Sequence, residues 1–213
     1  MKSHYSINYY NWQKKAGEYG GQQDIWKFEP YVKKGDIILD FGCGAGQILE
    51  KLKCRKKYGI EINERASIYA RKKGISVYKN LNEIPKNLKF NLIFSHHVLE
   101  HLENPVQALK DMKRFMKKDG LSVHIVPIDD WRNQKSCKPS DMSKHLYTWT
   151  PKLLGNLLIH CGYNIKEIKT TPYLWLPLSR YYFKFIPKFI YYPLCKLWGS
   201  ILKIREIKIV ATT

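Results

Sequence analysis

Ile37-Ile38-Leu39-Asp40-Phe41-Gly42-Cys43-Gly44-Ala45-Gly46 decides how the rest of this 213-residue chain is read. Ile37 to Leu39 form the short apolar run that a buried parallel strand needs. The side chains then nearly vanish, with glycine at 42, 44 and 46, and Gln47-Ile48-Leu49-Glu50-Lys51-Leu52 follows with the apolar spacing of a helix. A strand, a bare turn and a helix start let backbone approach a ligand closely and aim N–H groups at it.

Two acids narrow the choice of ligand. Glu61 closes a second apolar stretch, Lys57-Tyr58-Gly59-Ile60-Glu61, where a nucleotide-binding doubly wound sheet presents a carboxylate to ribose hydroxyls. Asp40 precedes the first glycine, giving Asp-x-Gly-x-Gly-x-Gly. A dinucleotide fingerprint is broken by Gln47 in the third glycine's place, and the Gly-Lys-Ser/Thr of a phosphate loop is absent. The stretch resembles the glycine loop of class I S-adenosylmethionine-dependent methyltransferases. In that family the loop passes beneath the amino-acid end of the cofactor, and the acid ending the second strand holds the ribose.

Outward from the loop, the chain alternates between the two periodicities. Gln23 to Val32 has helical spacing, and Lys33-Lys34-Gly35-Asp36 turns into the first strand. Helix is expected over 64–73, stopped by Gly74; strand over 75–78; a turn or one helical coil over 80–88; strand over 90–95. Asn104-Pro105 opens a helix expected to reach Lys118, ahead of a strand over 121–126. After an irregular polar loop over 127–148, Thr150-Pro151 starts a helix to Cys161, followed by strands over 163–170 and 205–211. This alternation argues an α/β fold, a doubly wound parallel sheet with helices on both faces. The resemblance, which covers residues 20–170, makes it a Rossmann-like sheet of seven strands with strand seven antiparallel. The expected organisation is an N-terminal arm and helix over 1–34, a core over 35–171 with 205–213, and an insertion over 172–204. By resemblance the aromatic arm (Tyr5, Tyr9, Tyr10, Trp12) covers the cofactor cleft.

The end of strand four carries His96-His97-Val98-Leu99-Glu100-His101. His97 to His101 fits the inverted zinc-peptidase signature His-x-x-Glu-His. A catalytic zinc needs a third protein ligand and both histidines on one helix face, and the glycine loop already claims the crevice, so no metal site is assigned. The stretch Phe90 to Pro105 resembles the fourth-strand segment of many small-molecule methyltransferases, which carry a similar Ser-x-x-x-Leu-Glu-His run. The resemblance implies that S-adenosylmethionine is held by Asp40, Gly42, Cys43, Gly44, Glu61, Ile62, Asn80, Leu81, Ser95 and His96. Cys43 would face the cofactor, and Ser95 and His96 would lie near its sulfonium. Transfer to oxygen gains from a base, which a histidine can supply near neutral pH. His97 is the first candidate and His145, on the loop after strand five, the second.

The formal net charge of +19 favours polyanionic partners without choosing among them. Cys43, Cys54, Cys137, Cys161 and Cys195 show no metal spacing and read as free thiols of a reducing compartment. Neither a signal peptide nor an apolar run long enough to cross a bilayer is seen, so a cytoplasmic protein is expected, with contact at the inner face of a membrane as an option. Between strands six and seven, Arg180, Lys184 and Lys188 recur at i, i+4 among aromatics, and Pro187 and Pro193 are expected to break any long helix. Such a segment (173–204) caps the acceptor pocket or lies at a membrane surface. The expected activity is methyl transfer to a small-molecule, saccharide or lipid-linked acceptor at oxygen. An RNA methyltransferase and a non-catalytic, membrane-docked binding protein are the alternatives. Nucleic acid is disfavoured because no RNA-binding module is recognisable, and oligomeric state has no signal in the sequence.

Overall fold

A computed structural model describes residues 20–21, 23–129, 141 and 143–213. The apolar runs become the middle of one sheet: in β1 (Ile37–Phe41), β4 (Phe90–His96) and β5 (Met116–Ile128), Ile38, Leu39, Leu92, Ile93, Phe94 and Val123 are shut off from water. Burial on both faces is what a central parallel strand demands. With β2 (Lys56–Ile60), β3 (Ser76–Tyr78), β6 (Asn164–Pro172) and β7 (Arg205–Thr212), the seven strands run in the order β3-β2-β1-β4-β5-β7-β6. β1 to β5 are parallel, and β7 lies antiparallel between β5 and β6. The order reverses between β1 and β4, which opens a crevice at their carboxyl ends.

Among the described residues, five helices of more than one turn flank this sheet: α1 (Gln47–Lys51), α2 (Glu64–Lys72), α3 (Pro105–Arg114), α4 (Pro151–His160) and α5 (Lys188–Ile201). Their starts follow from side chains. Asn63 accepts from the N–H groups of Arg65 and Ala66, Asn104 from Gln107 and Thr150 from Leu153. Gly74 and Gly162, both at positive φ, end α2 and α4.

Three expectations are corrected. Residues 23–32 form helical residues followed by two 3-10 turns, Ile25–Lys27 and Glu29–Tyr31, instead of one helix. Pro30 has no N–H to give the carbonyl four residues back. The helix after Pro105 stops at Arg114, not Lys118, because Phe90 N–H donates to the Phe115 carbonyl (2.8 Å) and Phe90 pairs with Met116, drawing that segment into the sheet. The surplus residues make an irregularity in which a Cβ on Gly120 would lie 3.0 Å from the carbonyls of Lys117 and Phe90. Third, Pro187 precedes α5 but Pro193 lies inside it. The inner stripe Tyr191, Cys195 and Gly199 is buried against Tyr173, close enough that a Cβ on Gly199 would sit 2.5 Å from the Tyr173 nitrogen. That packing holds the helix together across the proline. The i, i+4 spacing of 180, 184 and 188 does not share one helix, since Ser179–Tyr182 is a single turn and Phe183–Phe185 a 3-10 turn.

The arm over 1–19, Cys137 and most of the polar loop (130–140 and 142) lie outside the described residues.

Candidate active site

The glycine loop is fastened to β2. Gly42 and Cys43 both donate to the Ile60 carbonyl (2.9 and 3.0 Å), and Gly44 N–H donates to Glu61 Oε2 at 2.8 Å. Glu61 Oε1 accepts from Asn63 N–H at 2.8 Å. Loop and carboxylate therefore meet at the same end of the sheet. The three glycines differ in purpose, though all have positive φ. A Cβ on Gly42 would lie 2.5 Å from Val98 and one on Gly46 2.4 Å from Ile75, so these two are bare for packing. Around Gly44 the nearest side-chain atom would be 3.8 Å away, and the chain is bare there toward open space.

Asp40 is buried beneath this loop, and its Oδ1 has no hydrogen-bond partner among the described residues. Burial, with the Glu61 charge, pushes its carboxyl well above the usual range. Burial also pushes Glu61 up, against the pull of the N–H groups of Asn63 and Gly44. Ile62, by contrast, is half exposed. An orphaned buried carboxylate oxygen, a second carboxylate on the loop and a cradle that any side chain at 44 would fill suit a cationic, polyhydroxylated ligand. S-adenosylmethionine fits these residues.

Five other expected ligands have side chains engaged by the protein itself. Cys43 turns its side chain away from the crevice: its Sγ would be 2.4 Å from a Cβ on Gly59, and it belongs to the core with Leu49, Ala70 and Ile75. Burial pushes its thiol well up. Ser95 is fully buried, its hydroxyl 2.8 Å from His124 Nδ1, while His124 Nε2 is 2.7 Å from the Ser122 hydroxyl. Its side chain is committed inside the sheet. Asn80 is exposed but caps the turn Leu81–Glu83, accepting from Asn82 N–H and donating to Glu83; Leu81 is buried in the core. His96 faces a buried charged cluster, with Nε2 3.4 Å from Lys27 Nζ and 3.8 Å from Asp24 Oδ2. Burial, with His97 and Lys27, holds it well below the usual range, so it is neutral at pH 7.

That cluster is the part sequence reasoning missed. Lys27 Nζ sits 2.7 Å from Glu206 Oε2 and 3.2 Å from Asp24 Oδ1, with all three side chains buried. Trp175 Nε1 donates to Asp24 at 3.2 Å, and the Lys27 ammonium lies 4.4 Å from the Tyr173 ring centroid. Burial works against the lysine charge, yet Asp24 and Glu206 outweigh it and raise the pKa. Burial likewise opposes the Glu206 charge, but Lys27 and His97 hold it below the usual range. Asp24 is pushed up because burial outweighs Lys27. The signal available beforehand was a lysine on the apolar face of 23–32.

His97 emerges beside this cluster. Its backbone is left-handed (φ 54°), its N–H donates to the Ile125 carbonyl at 2.9 Å, its side chain is 43% exposed and its Nε2 is 3.8 Å from Glu206 Oε2. A non-glycine residue in that region costs on the order of 1–3 kcal/mol and persists where its surroundings impose it. His145 stands apart from it, with Nδ1 2.7 Å from Asp129 Oδ2 and its ring 4.9 Å from that of His101. The hydrogen bond to Asp129 raises its pKa.

Residues 97–101 are not the single helix a zinc-peptidase signature needs: only Leu99–His101 is helical, as a 3-10 turn. The histidines instead divide between two groups of potential ligands, His96 with His97 and Glu206, and Glu100 with His101 and His145. Glu100 is buried, with neither carboxylate oxygen hydrogen-bonded among the described residues, and burial pushes its carboxyl up.

Residues 18–168 match a family model described as a methyltransferase domain. A ubiquinone biosynthesis O-methyltransferase of Rickettsia canadensis (strain McKiel) is 24% identical over 75% of this chain and 80% of its own length. One of Roseobacter denitrificans (strain ATCC 33942 / OCh 114) is 28% identical over 64% of this chain, which spans 57% of that relative. Among solved structures, a SAM-dependent methyltransferase from Thermotoga maritima superposes with a TM-score of 0.69 at 20% identity, covering 98% of this chain and 96% of its own.

Proposed function

The chain belongs to the methyltransferase domain family, whose methyl donor is S-adenosylmethionine, and on that premise we propose that it methylates a hydroxyl oxygen of a small-molecule, saccharide or lipid-linked acceptor with His97 as base. The observation that carries this reading is His97 itself, exposed in strained backbone just past the carboxyl end of β4 and next to Val98, which packs on Gly42 of the glycine loop. The O-methyltransferase names of the relatives support oxygen as the acceptor atom.

The donor supplies a methyl carbon on a sulfonium, so transfer forms one carbon–oxygen bond and breaks one carbon–sulfur bond. The work left to the protein is positioning, worth roughly 7–11 kcal/mol in the best intramolecular models, and removal of the hydroxyl proton. Gly44 leaves room for the donor, Asp40 and Glu61 offer carboxylates to it, and Ile62 offers an apolar surface. His97 Nε2 takes the proton. Glu206, kept ionised by Lys27 and fixed at 3.8 Å, faces the positive charge that arrives with it. His145 is the weaker candidate, because Asp129 favours its protonated form. Residues 173–204 wall the acceptor side, and peripheral contact with the inner face of a membrane belongs to the same reading.

Isothermal titration with S-adenosylmethionine tests the donor site: wild type binds and Gly44→Arg does not, whereas equal binding by both overturns it. Release of S-adenosylhomocysteine with a panel of hydroxylated acceptors tests the base. His97→Gln is expected to lower kcat by about 10²-fold or more with donor affinity retained, in the range ascribed to a general base. Unchanged kcat would exclude His97.

A further inference from the structure

Helix α5 (Lys188–Ile201) carries apolar residues on both an inner and an outer face. The inner stripe, Tyr191, Cys195 and Gly199, is buried. Tyr191 donates to Gln23, and the Tyr192 ring lies 5.1 Å from that of Trp26, so this face is fixed to the wall carrying Asp24 and Lys27. On the outer face Ile190, Leu194, Leu197 and Ile201 follow the i, i+4, i+7, i+11 spacing of a continuous stripe, and all four are exposed. Phe189, in the first turn of α5, and Phe185, just before it, add to this surface at 78% and 82% exposed. A contiguous apolar surface of this kind marks an interaction site.

Charge identifies the occupant. Between Glu167 and Glu206 there is no acidic residue, while the same stretch contains Lys169, Arg180, Lys184, Lys188, Lys196, Lys203 and Arg205. Lys188, Lys196 and Lys203 are exposed along or just beyond the helix. A second copy of this chain, itself carrying +19, would set cation against cation on such a face. A surface that is at once apolar and anionic removes both costs, and that is the headgroup–acyl boundary of a bilayer containing acidic lipid. None of the described helices is long and apolar enough to cross a membrane.

We propose that the outer face of α5, led by Phe185 and Phe189, docks on an anionic membrane surface, with α5 lying in the interface. This deepens the functional reading above by naming the partner of the acceptor-side wall, and rests on that reading only for what the docking serves. The acceptor mouth beside His97 then opens next to the bilayer, where a lipid-linked hydroxyl is within reach.

The test is flotation of the full chain with vesicles of phosphatidylglycerol and phosphatidylcholine, or of phosphatidylcholine alone, at low and high salt. Wild type is expected to float with the anionic vesicles and to lose more than about tenfold of its affinity in either control. Phe189→Glu/Leu197→Glu should abolish flotation, and Lys188→Glu/Lys196→Glu should weaken it about tenfold or more. Both should keep the wild-type melting temperature and S-adenosylmethionine affinity. Docking is overturned if wild type does not float, if it floats equally with neutral vesicles, or if Phe189→Glu/Leu197→Glu floats like wild type. It is also overturned if that variant only turns a dimer into a monomer. Should either variant fail to fold, the other variant and the lipid and salt dependence of wild type still decide. Donor binding by titration is read separately, so a failed methyltransferase reading and a failed docking surface give different results.

Discussion

Lys27 shows what a single residue carries in this molecule. Its ammonium is the countercharge of two buried carboxylates, and Glu206 lies 179 positions away in sequence. Lys27→Met would leave Asp24 and Glu206 buried without it, at an expected cost of about 3–5 kcal/mol in urea unfolding. Adding Glu206→Gln should then cost less than the sum of the two changes, because the second removes a charge the first has stranded. No periodicity could announce such a pair, which is why Glu61 was legible in the sequence and Glu206 was not. Glu61 sits at a fixed remove from a glycine loop, whereas Glu206 acquires its meaning only when β7 is laid beside β5. Ser95 makes a related point: its strand was legible, but the direction of its side chain is set by His124 one strand over. His145 gives a pH prediction of definite sign. Its pKa is raised in the fold by Asp129, so the pair's contribution is whole below about pH 6.5 and fades as pH rises through the folded value. His145→Gln should flatten that part of the stability–pH curve.

At the scale of elements, local chemistry set the starts better than the ends. Asn104-Pro105 and Thr150-Pro151 open their helices where the sequence places them, since a cap and a proline act within one turn. The end of α3 was decided elsewhere, by the demand of Phe90 for a partner, so a polar stretch that reads as helix became strand. Pro193 makes the opposite case. Its ring costs the helix a hydrogen bond, and the buried stripe of α5 overrides it. Pro193→Ala should therefore stabilise the protein, by up to about 3 kcal/mol, read as a rise in melting temperature. A fall would mean that Pro193 shapes the packing on Tyr173.

For the molecule as a whole, the sheet order was legible because alternating strands and helices admit few topologies and the glycine loop selects one of them. Its behaviour in acid follows from what the sheet buries. His124 has its pKa lowered to about 4 by burial, and His96 is also lowered. A group whose folded pKa is depressed leaves the unfolded chain to take up the proton first, so stability is lost as pH falls from about 6.5 toward the folded value. For His124 alone that is on the order of 3 kcal/mol. Urea midpoints at pH 7 and pH 4.5 should separate accordingly, and His124→Gln should narrow the gap. The antiparallel seating of β7 between β5 and β6 has a temporal side as well. A ribosome delivers β7 after every other strand, so a growing chain holds β5 with an open border and β6 with no neighbour until those eight residues arrive. Closure of the sheet therefore waits on its last strand, and until then the facing borders of β5 and β6 are open to mispairing.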